Sequence, residues 1–194
     1  VMMDKRLKLV VVAIGIAINI VGGTLASALK LPIFLDTIGT MLAAVLLGPW
    51  LGALTGLLSN VFQGVFTNPT TIPFGIVNAA IGLIVGYIAM KRGFTDYVTP
   101  AIVGIILSVA APLIGSPIAV YVFGGLTGGG VDVLYGVLLG TSDRVFSSAF
   151  LARIPTNLVD KLLSAYLILF IIRALPPQWK GYATPQDQGN SIQA

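Results

Sequence analysis

The first apolar segment of the chain reads VVVAIGIAINIVGG over residues 10–23, and it decides the fold class. With its apolar neighbours it is long enough for a helix that crosses a hydrocarbon core of about 30 Å. Ala13 and Ala17 lie four residues apart, so they share one face of that helix. Small side chains let two helix backbones approach closely. This face is therefore predicted to pack on another helix, either of the same chain or of a partner protein.

The whole chain has the composition of an integral membrane protein. Of its 194 residues, 56% are hydrophobic and 9% are charged, whereas soluble domains are about 25% charged. It has no Cys, no His and no Gly-x-x-x-x-Gly-Lys-Ser/Thr run. This excludes thiol chemistry, His-based catalysis, His/Cys metal sites and a P-loop of its own. We therefore expect no enzyme activity, no cofactor and no metal.

Apolar runs predict one membrane domain at residues 1–176 with six transmembrane helices. These spans are placed at about 7–29, 33–48, 51–66, 72–90, 98–123 and 155–175. Residues 131–140 and 145–154 are apolar but too short to span, which predicts extra short helices, or a re-entrant pair, before the last span. Residues 177–194 are expected to be a polar C-terminal tail, unstructured from Tyr182 onward. The fold class is an all-α membrane bundle.

The basic residues predict the orientation of the bundle. Seven of them flank the spans on the side of the two termini and four lie on the other side, which favours a multi-pass protein with both termini in the cytoplasm. Their position at membrane edges, rather than in one patch, argues against nucleic acid as a partner. The charges before the first span resemble the start of a signal peptide, but the long apolar run predicts a retained helix.

Polar side chains within the predicted spans concentrate in the outer half of the membrane. They are Asn19, Asn60, Gln63, Asn78, Asn157, Asp160, Lys161 and Ser164. Buried amides and charges are costly in a membrane unless they are paired or hydrated, so several helices contributing at one depth predict a small-molecule pocket open to the outside. Phe34 from the first loop, and Tyr121, Tyr135 and Arg144 from residues 120–150, are expected to close it.

Structural interpretations compete with this pocket. A single Asn can serve an interhelical hydrogen bond, and Asp160 with Lys161 can form a snorkelling pair at the interface. No carboxylate is predicted at the membrane midplane, where a proton-coupled carrier usually needs an ionisable relay. The chain is thus expected to bind a ligand without an energy source of its own, which favours a partner protein at Ala13 and Ala17.

Over residues 5–176 the chain resembles the substrate-binding S components of energy-coupling factor (ECF) transporters, the vitamin-uptake systems of bacteria and archaea. Three features carry the resemblance: the Ala13-x-x-x-Ala17 pair, the Leu47-Gly-Pro-Trp-Leu-Gly52 turn followed by Gly56, and the Asn157-x-x-Asp160-Lys161 face. The Gly-rich stretch at 124–154 departs from the family pattern, which puts its loop ligands in doubt.

The resemblance implies a six-helix S-component fold in a bacterial or archaeal cell membrane. It also implies docking of the first helix on a transmembrane coupling subunit, two ABC-type ATPase subunits beneath it, and delivery of substrate by toppling of the S component. Ligand residues carried over from the family are Phe34, Asn78, Tyr121, Asn157, Asp160 and Lys161. The expected substrate is a small organic micronutrient, neutral or zwitterionic, such as a vitamin or its precursor.

Two other functions stay open at this point. A ligand-sensing membrane module would need a detached signalling partner. A homo-oligomeric small-molecule channel would need a polar stripe along the full depth of a helix, whereas the last predicted helix loses its polarity after Ser164.

Overall fold

A computed structural model describes residues 4–128, 130–141 and 145–184 of the chain. Within those residues every regular element is a helix. The α-helices are α1 (Lys5–Ala28), α2 (Ile38–Leu47), α3 (Pro49–Phe66), α4 (Gly75–Arg92), α5 (Val98–Phe123), α6 (Val131–Thr141) and α7 (Val145–Ala174). Short 3-10 turns lie at Pro69–Phe74, Pro177–Trp179 and Gly181–Ala183.

The helices form a membrane-type bundle. Four segments are long and apolar enough to cross a membrane, namely Lys5–Ala28, Pro69–Arg92, Val98–Phe123 and Phe146–Ala174. Helices also occupy the places of the other two predicted spans, but α2 is short and α3 does not reach the hydropathy of the four. An all-helical membrane protein is therefore confirmed, while the number of six spans stays a prediction.

The predicted span at 33–48 becomes helical only at Ile38, because the segment before it cannot continue a helix. Lys30 and Leu35 have positive φ values of 53° and 54°, and Pro32 lacks a backbone donor. The ten residues of α2 extend about 15 Å, half of a hydrocarbon core. Non-helical backbone at membrane depth is tolerated where protein covers it, and nine residues of α2 are buried.

Helices α1 and α2 cross at a contact between two glycines. A Cβ on Gly15 would lie 2.9 Å from the carbonyl oxygen of Gly39, and a Cβ on Gly39 would overlap Gly15. Only glycine permits this approach, so the face of α1 that packs inside the bundle is built on Gly15, Asn19 and Gly23, all buried. The face that carries Ala13 and Ala17 points away from the bundle.

Helix α7 runs through Pro155, so the prediction that the last helix begins at that residue is wrong. Pro155 has no N–H to donate to the carbonyl of Leu151, and the side chains of the next two residues add hydrogen bonds to the preceding turn. Thr156 Oγ1 donates to Ala152 O at 3.1 Å, and Asn157 Nδ2 donates to Arg153 O at 2.8 Å. Residues 145–154 therefore add about three turns to this helix.

The bundle has two ends of different character. At what we name the apolar end, a continuous core joins the C-terminal halves of α4 and α7 to α2 and the start of α5; its members include Met41, Val45, Val85, Phe94, Val103, Ile168, Leu169 and Ile172. The opposite end, which we name the cavity end, contains a smaller cluster of Val131, Tyr135, Ala149 and Ala152 between α6 and α7. It also encloses open space.

The C-terminal segment closes the apolar end. Ala183 is fully buried, Phe94 N donates a hydrogen bond of 2.6 Å to Ala183 O, and the ring of Tyr182 lies against Gly48. The prediction that the chain lacks structure from Tyr182 onward is wrong for residues 182–184. The small side chain of Ala183 and the ring of Tyr182 fit against the core. Residues 185–194 lie outside the described part of the chain.

Candidate functional site

A cavity of about 360 Å³ lies at the cavity end, within the size range of small-molecule sites. Its walls come from the C-terminal ends of α1 and α3, the loop before α2, the N-terminal half of α4, the middle of α5 and the N-terminal half of α7. Apolar side chains form much of the surface; they include Leu31, Ile33, Phe34, Phe74, Val77, Ile81 and Val131.

A hydrogen-bonded network of amides and hydroxyls joins the first four helices beside the cavity. Asn19 Nδ2 donates to Thr40 Oγ1 at 2.8 Å, and Thr40 Oγ1 donates to Asn78 Oδ1 at 2.7 Å. Asn78 Nδ2 donates to Asn60 Oδ1 at 2.8 Å and to Asp36 O at 3.0 Å. Both amide hydrogens of Asn78 are thus used by the protein, so its main role is to fix the helices and the loop.

A buried ion pair positions the loop between α1 and α2. Asp160 and Lys161 are ion-paired and essentially inaccessible to solvent. Asp160 Oδ1 accepts hydrogen bonds from the backbone N–H groups of Phe34 and Leu35 at 3.2 and 2.8 Å. Lys161 Nζ donates to Thr37 Oγ1 at 2.9 Å and lies 5.8 Å from the centre of the Phe34 ring. Asp160 therefore acts on the loop, while Lys161 itself lines the cavity.

One face of α7 presents three polar side chains to the cavity. Arg153, Asn157 and Lys161 are spaced four residues apart and all line it, which places them on a stripe about 12 Å long. Arg153 is 3% exposed. Among the described residues its guanidinium donates at 3.4 Å to Ala149 O and at 3.5 Å to Thr127 Oγ1, distances at the upper limit for a hydrogen bond.

Across the cavity, Gln63 and Asp36 lie together beside Gly23. A Cβ on Gly23 would be 2.9 Å from Gln63 Nε2 and 3.1 Å from Asp36 Cβ. The Gln63 side chain makes no hydrogen bond within the described residues. Its amide can both donate and accept, so this end of the cavity offers an amide and a carboxylate to a ligand.

The predicted site residues divide into those at the cavity, two tyrosines that lie away from it, and Arg144, which is outside the described residues. Phe34, Asn60, Asn78, Asn157 and Lys161 line the cavity, and Asp160 lies directly behind it.

The two tyrosines lie elsewhere, and Arg144 is outside the described residues. Tyr121 is 83% exposed on the outside of α5, and Tyr135 is buried between helices with its hydroxyl donating to Gly124 O at 3.3 Å. Neither tyrosine lines the cavity. The position of Tyr135 depends on how the chain folds back after α5, which local sequence does not determine.

Arg153 and Asp36 line the cavity but were not chosen as ligand residues from the sequence. Gln63 also lines it; the sequence placed it among the polar residues of the outer half without naming it as a ligand residue. Treating 145–154 as a separate helix concealed the regular spacing of Arg153, Asn157 and Lys161. Had α7 been continued through Pro155, the interval of four residues would have placed Arg153 on the same face. For Asp36 and Gln63 the signal was weaker, because their approach depends on how α1 crosses α3.

A helical membrane bundle with apolar cavity walls and a few directional polar groups defines a class, the integral membrane proteins that bind a small molecule. The chain belongs to the family of ECF transporter substrate-specific components, whose family model matches residues 7–172. This confirms the resemblance drawn from the sequence. The match covers almost all of α1 and every element of the cavity. Among curated proteins and solved structures, none matches the chain.

Proposed function

We propose that this chain binds and translocates a small organic micronutrient, a vitamin or a precursor, as the membrane subunit of an ATP-driven importer. Separate partners, a transmembrane coupling subunit and two ABC-type ATPase subunits, supply the energy. The cell is bacterial or archaeal, the cavity end faces outward, and both termini are cytoplasmic. The family membership supports the transport role, and the cavity is the observation that carries the binding role.

Ligand binding is proposed to depend on the loop between α1 and α2. Its residues Ile33, Phe34, Asp36 and Thr37 form part of the cavity wall, and Asp160 and Lys161 hold it from α7. A ligand that touches both the loop and α7 would add contacts across this junction. The loaded state would then keep the loop closed, which retains the ligand while the subunit moves.

Docking of the coupling subunit is proposed to use the outward face of α1. Ala13 and Ala17 are exposed there, so a partner helix can approach their backbone closely. The glycines of the same helix are already used inside the bundle. Packing within the chain and packing with a partner are therefore served by different faces of α1.

The test replaces both alanines by tryptophan in a cell that contains the coupling and ATPase subunits. We expect A13W/A17W to lose co-purification with those subunits and to lose uptake, because bulky rings hold a partner helix away. Ligand binding by the isolated chain is expected to persist, since the alanines lie on the far side of α1 from the cavity.

The matched control is Val109→Trp on α5, where the native side chain is 44% exposed. This variant presents the same ring to lipid on another helix and should assemble and transport normally. Loss of ligand binding with intact assembly in A13W/A17W would contradict the proposal.

The channel alternative has less support. The apolar core from Met41 to Ile172 occupies the apolar end, and Ala183 covers it. A polar path for a solute would have to cross this core. A ligand-sensing role is separated from transport by the same co-purification experiment, because a sensor would bind ligand without recruiting ATPase subunits.

A further inference from the structure

Arg153 carries a charge that no carboxylate of the described residues neutralises by direct contact. Its side chain is buried to all but 3%, yet the salt bridge that joins described residues is Lys161 with Asp160. A buried guanidinium has five donors, and Arg153 uses two of them in long contacts of 3.4 and 3.5 Å. Burying such a group without a partner is costly, which points to a ligand as the missing partner.

Asp132 is the nearby carboxylate to be considered as that partner. It acts electrostatically on Arg153, but its oxygens are taken by a turn of the chain. They accept from Thr127 N and Thr127 Oγ1, and from Gly128 N at 2.7 Å. Asp132 therefore fixes the turn that carries Thr127, and the Arg153 guanidinium stays available to the cavity that it lines.

The charges around the cavity limit what the ligand can carry. Lys161 is paired with Asp160, so Arg153 is the cation in the described lining whose charge is unmatched at contact distance. Asp36 adds an acidic side chain to the same cavity. A phosphate group, with about −1.5 to −2 charges, would bring more negative charge than this one cation can match, beside the acidic side chain of Asp36. A carboxylate brings one charge and matches the guanidinium in a bidentate geometry.

We propose, resting on the proposed function, that the transported substrate is a small organic monocarboxylate whose carboxylate is bound by Arg153. Its apolar body lies along Asn157 and the walls formed by Phe34 and Phe74. At the other end of the cavity, Gln63 and Asp36 select a molecule that carries a hydrogen-bond donor. The interval of about 12 Å from Arg153 to Lys161 and the volume of about 360 Å³ restrict it to a compact molecule.

The test uses the purified full-length protein and a small-molecule extract of bacterial cells. Half of the extract is treated with a carbodiimide and methylamine, which converts carboxylates to neutral amides. Each half is incubated with the protein, and retained compounds are identified by mass spectrometry. We expect a retained compound from the untreated half, a carboxylate within it, and loss of retention after amidation.

Arg153→Gln is then compared with Arg173→Gln for the retained compound. Arg173 lies near the far end of α7, where it donates to Thr95 O, so its variant should bind normally. We expect R153Q to weaken binding about 30-fold or more, the usual effect of removing one partner of a buried charge pair. Arg153→Lys keeps the charge without the bidentate geometry and should fall between the two.

Thermal unfolding without ligand separates a binding role from a structural one. If Arg153 awaits a ligand, R153Q should unfold at the same temperature as the wild type or higher, because a buried unmatched charge has been removed. The opposite result is that R153Q unfolds at a lower temperature than the wild type and that adding Asp132→Asn to R153Q lowers it no further. This result would assign Arg153 to a structural pair with Asp132 and overturn the inference.

Other outcomes are equally decisive. A retained compound without a carboxylate, or one held equally well by R153Q, overturns the carboxylate assignment and leaves the transport proposal intact. A folded protein that retains nothing from either extract overturns both.

Discussion

The cavity end and the apolar end of this bundle are held together by different interactions. At the cavity end, Asn19, Thr40, Asn78 and Asn60 form a chain of hydrogen bonds, and Lys161 pairs with Asp160. At the apolar end, closely packed aliphatic side chains provide the contacts. Hydrogen bonds and ion pairs fix directions and depend on each partner, whereas apolar packing tolerates changes of similar volume. The cavity end is therefore built for specific contacts, and the apolar end is built for stability of the bundle.

The largest effect is expected at the cavity end from Lys161→Met, which leaves Asp160 buried without its cation. Breaking a buried pair costs about 3–5 kcal/mol of stability. The loop at Phe34 and Leu35 should loosen as well, because Asp160 loses the cation that holds it in place. Denaturant unfolding in detergent measures the loss. The double variant D160N/K161M should recover much of it, since an amide still accepts from the loop; no recovery would show that the charges act independently.

At the apolar end, Ile172→Ala removes a fully buried side chain and should cost about 3 kcal/mol through the cavity it creates. Ligand affinity of the folded fraction should stay unchanged, because Ile172 lies far from the cavity. Phe170→Ala is the matched control, since that ring is 58% exposed and its removal should have little effect. A change of ligand affinity in I172A would show that packing at the apolar end affects binding at the cavity end, which contradicts this prediction.

Asn78→Leu tests the network with a smaller expected loss, about 2 kcal/mol, because Thr40, Asn60 and the carbonyl of Asp36 lose a buried partner. Ligand affinity should fall with stability, since the network positions the loop. Ser108→Ala serves as the comparison: Ser108 Oγ donates to Ile105 O within its own helix. Equal losses in both variants would mean that the network adds nothing beyond single hydrogen bonds.

The smallest effect is expected from Asp96, in the loop before α5 at the apolar end. Burial opposes its charge, but hydrogen bonds from Thr99 and Val98 together outweigh burial and hold the pKa of Asp96 below 3.8. A lowered folded pKa gives stability that is present above the unfolded pKa, so it is lost as the pH falls below about 3.8. Asp96→Asn, which still caps the helix, should flatten this acid-side slope in unfolding scans. An unchanged slope would assign it to other carboxylates.

Much of the helical pattern followed from local sequence. The boundaries of α5 matched the predicted 98–123, and α1 and α3 began within two residues of prediction, because long apolar runs and the Gly48–Pro49 turn are local signals. Of the predicted site residues, Asn60, Asn78, Asn157 and Lys161 line one cavity, and their role in binding stays a prediction. Pro155 misled the prediction, because a proline removes one hydrogen bond of a helix and packing of the helix on its neighbours can outweigh that loss.

The sequence by itself determined that the chain lies in a membrane, the order of its helices and its membership in a transporter family. Hydropathy and short motifs are properties of consecutive residues. The tertiary structure decided which residues face one another. Gly15 meets Gly39, Asp160 holds the loop from α7, and Arg153 turns a buried charge into the cavity. Those contacts join residues that are distant in the chain, and their register is set by the crossing of whole helices.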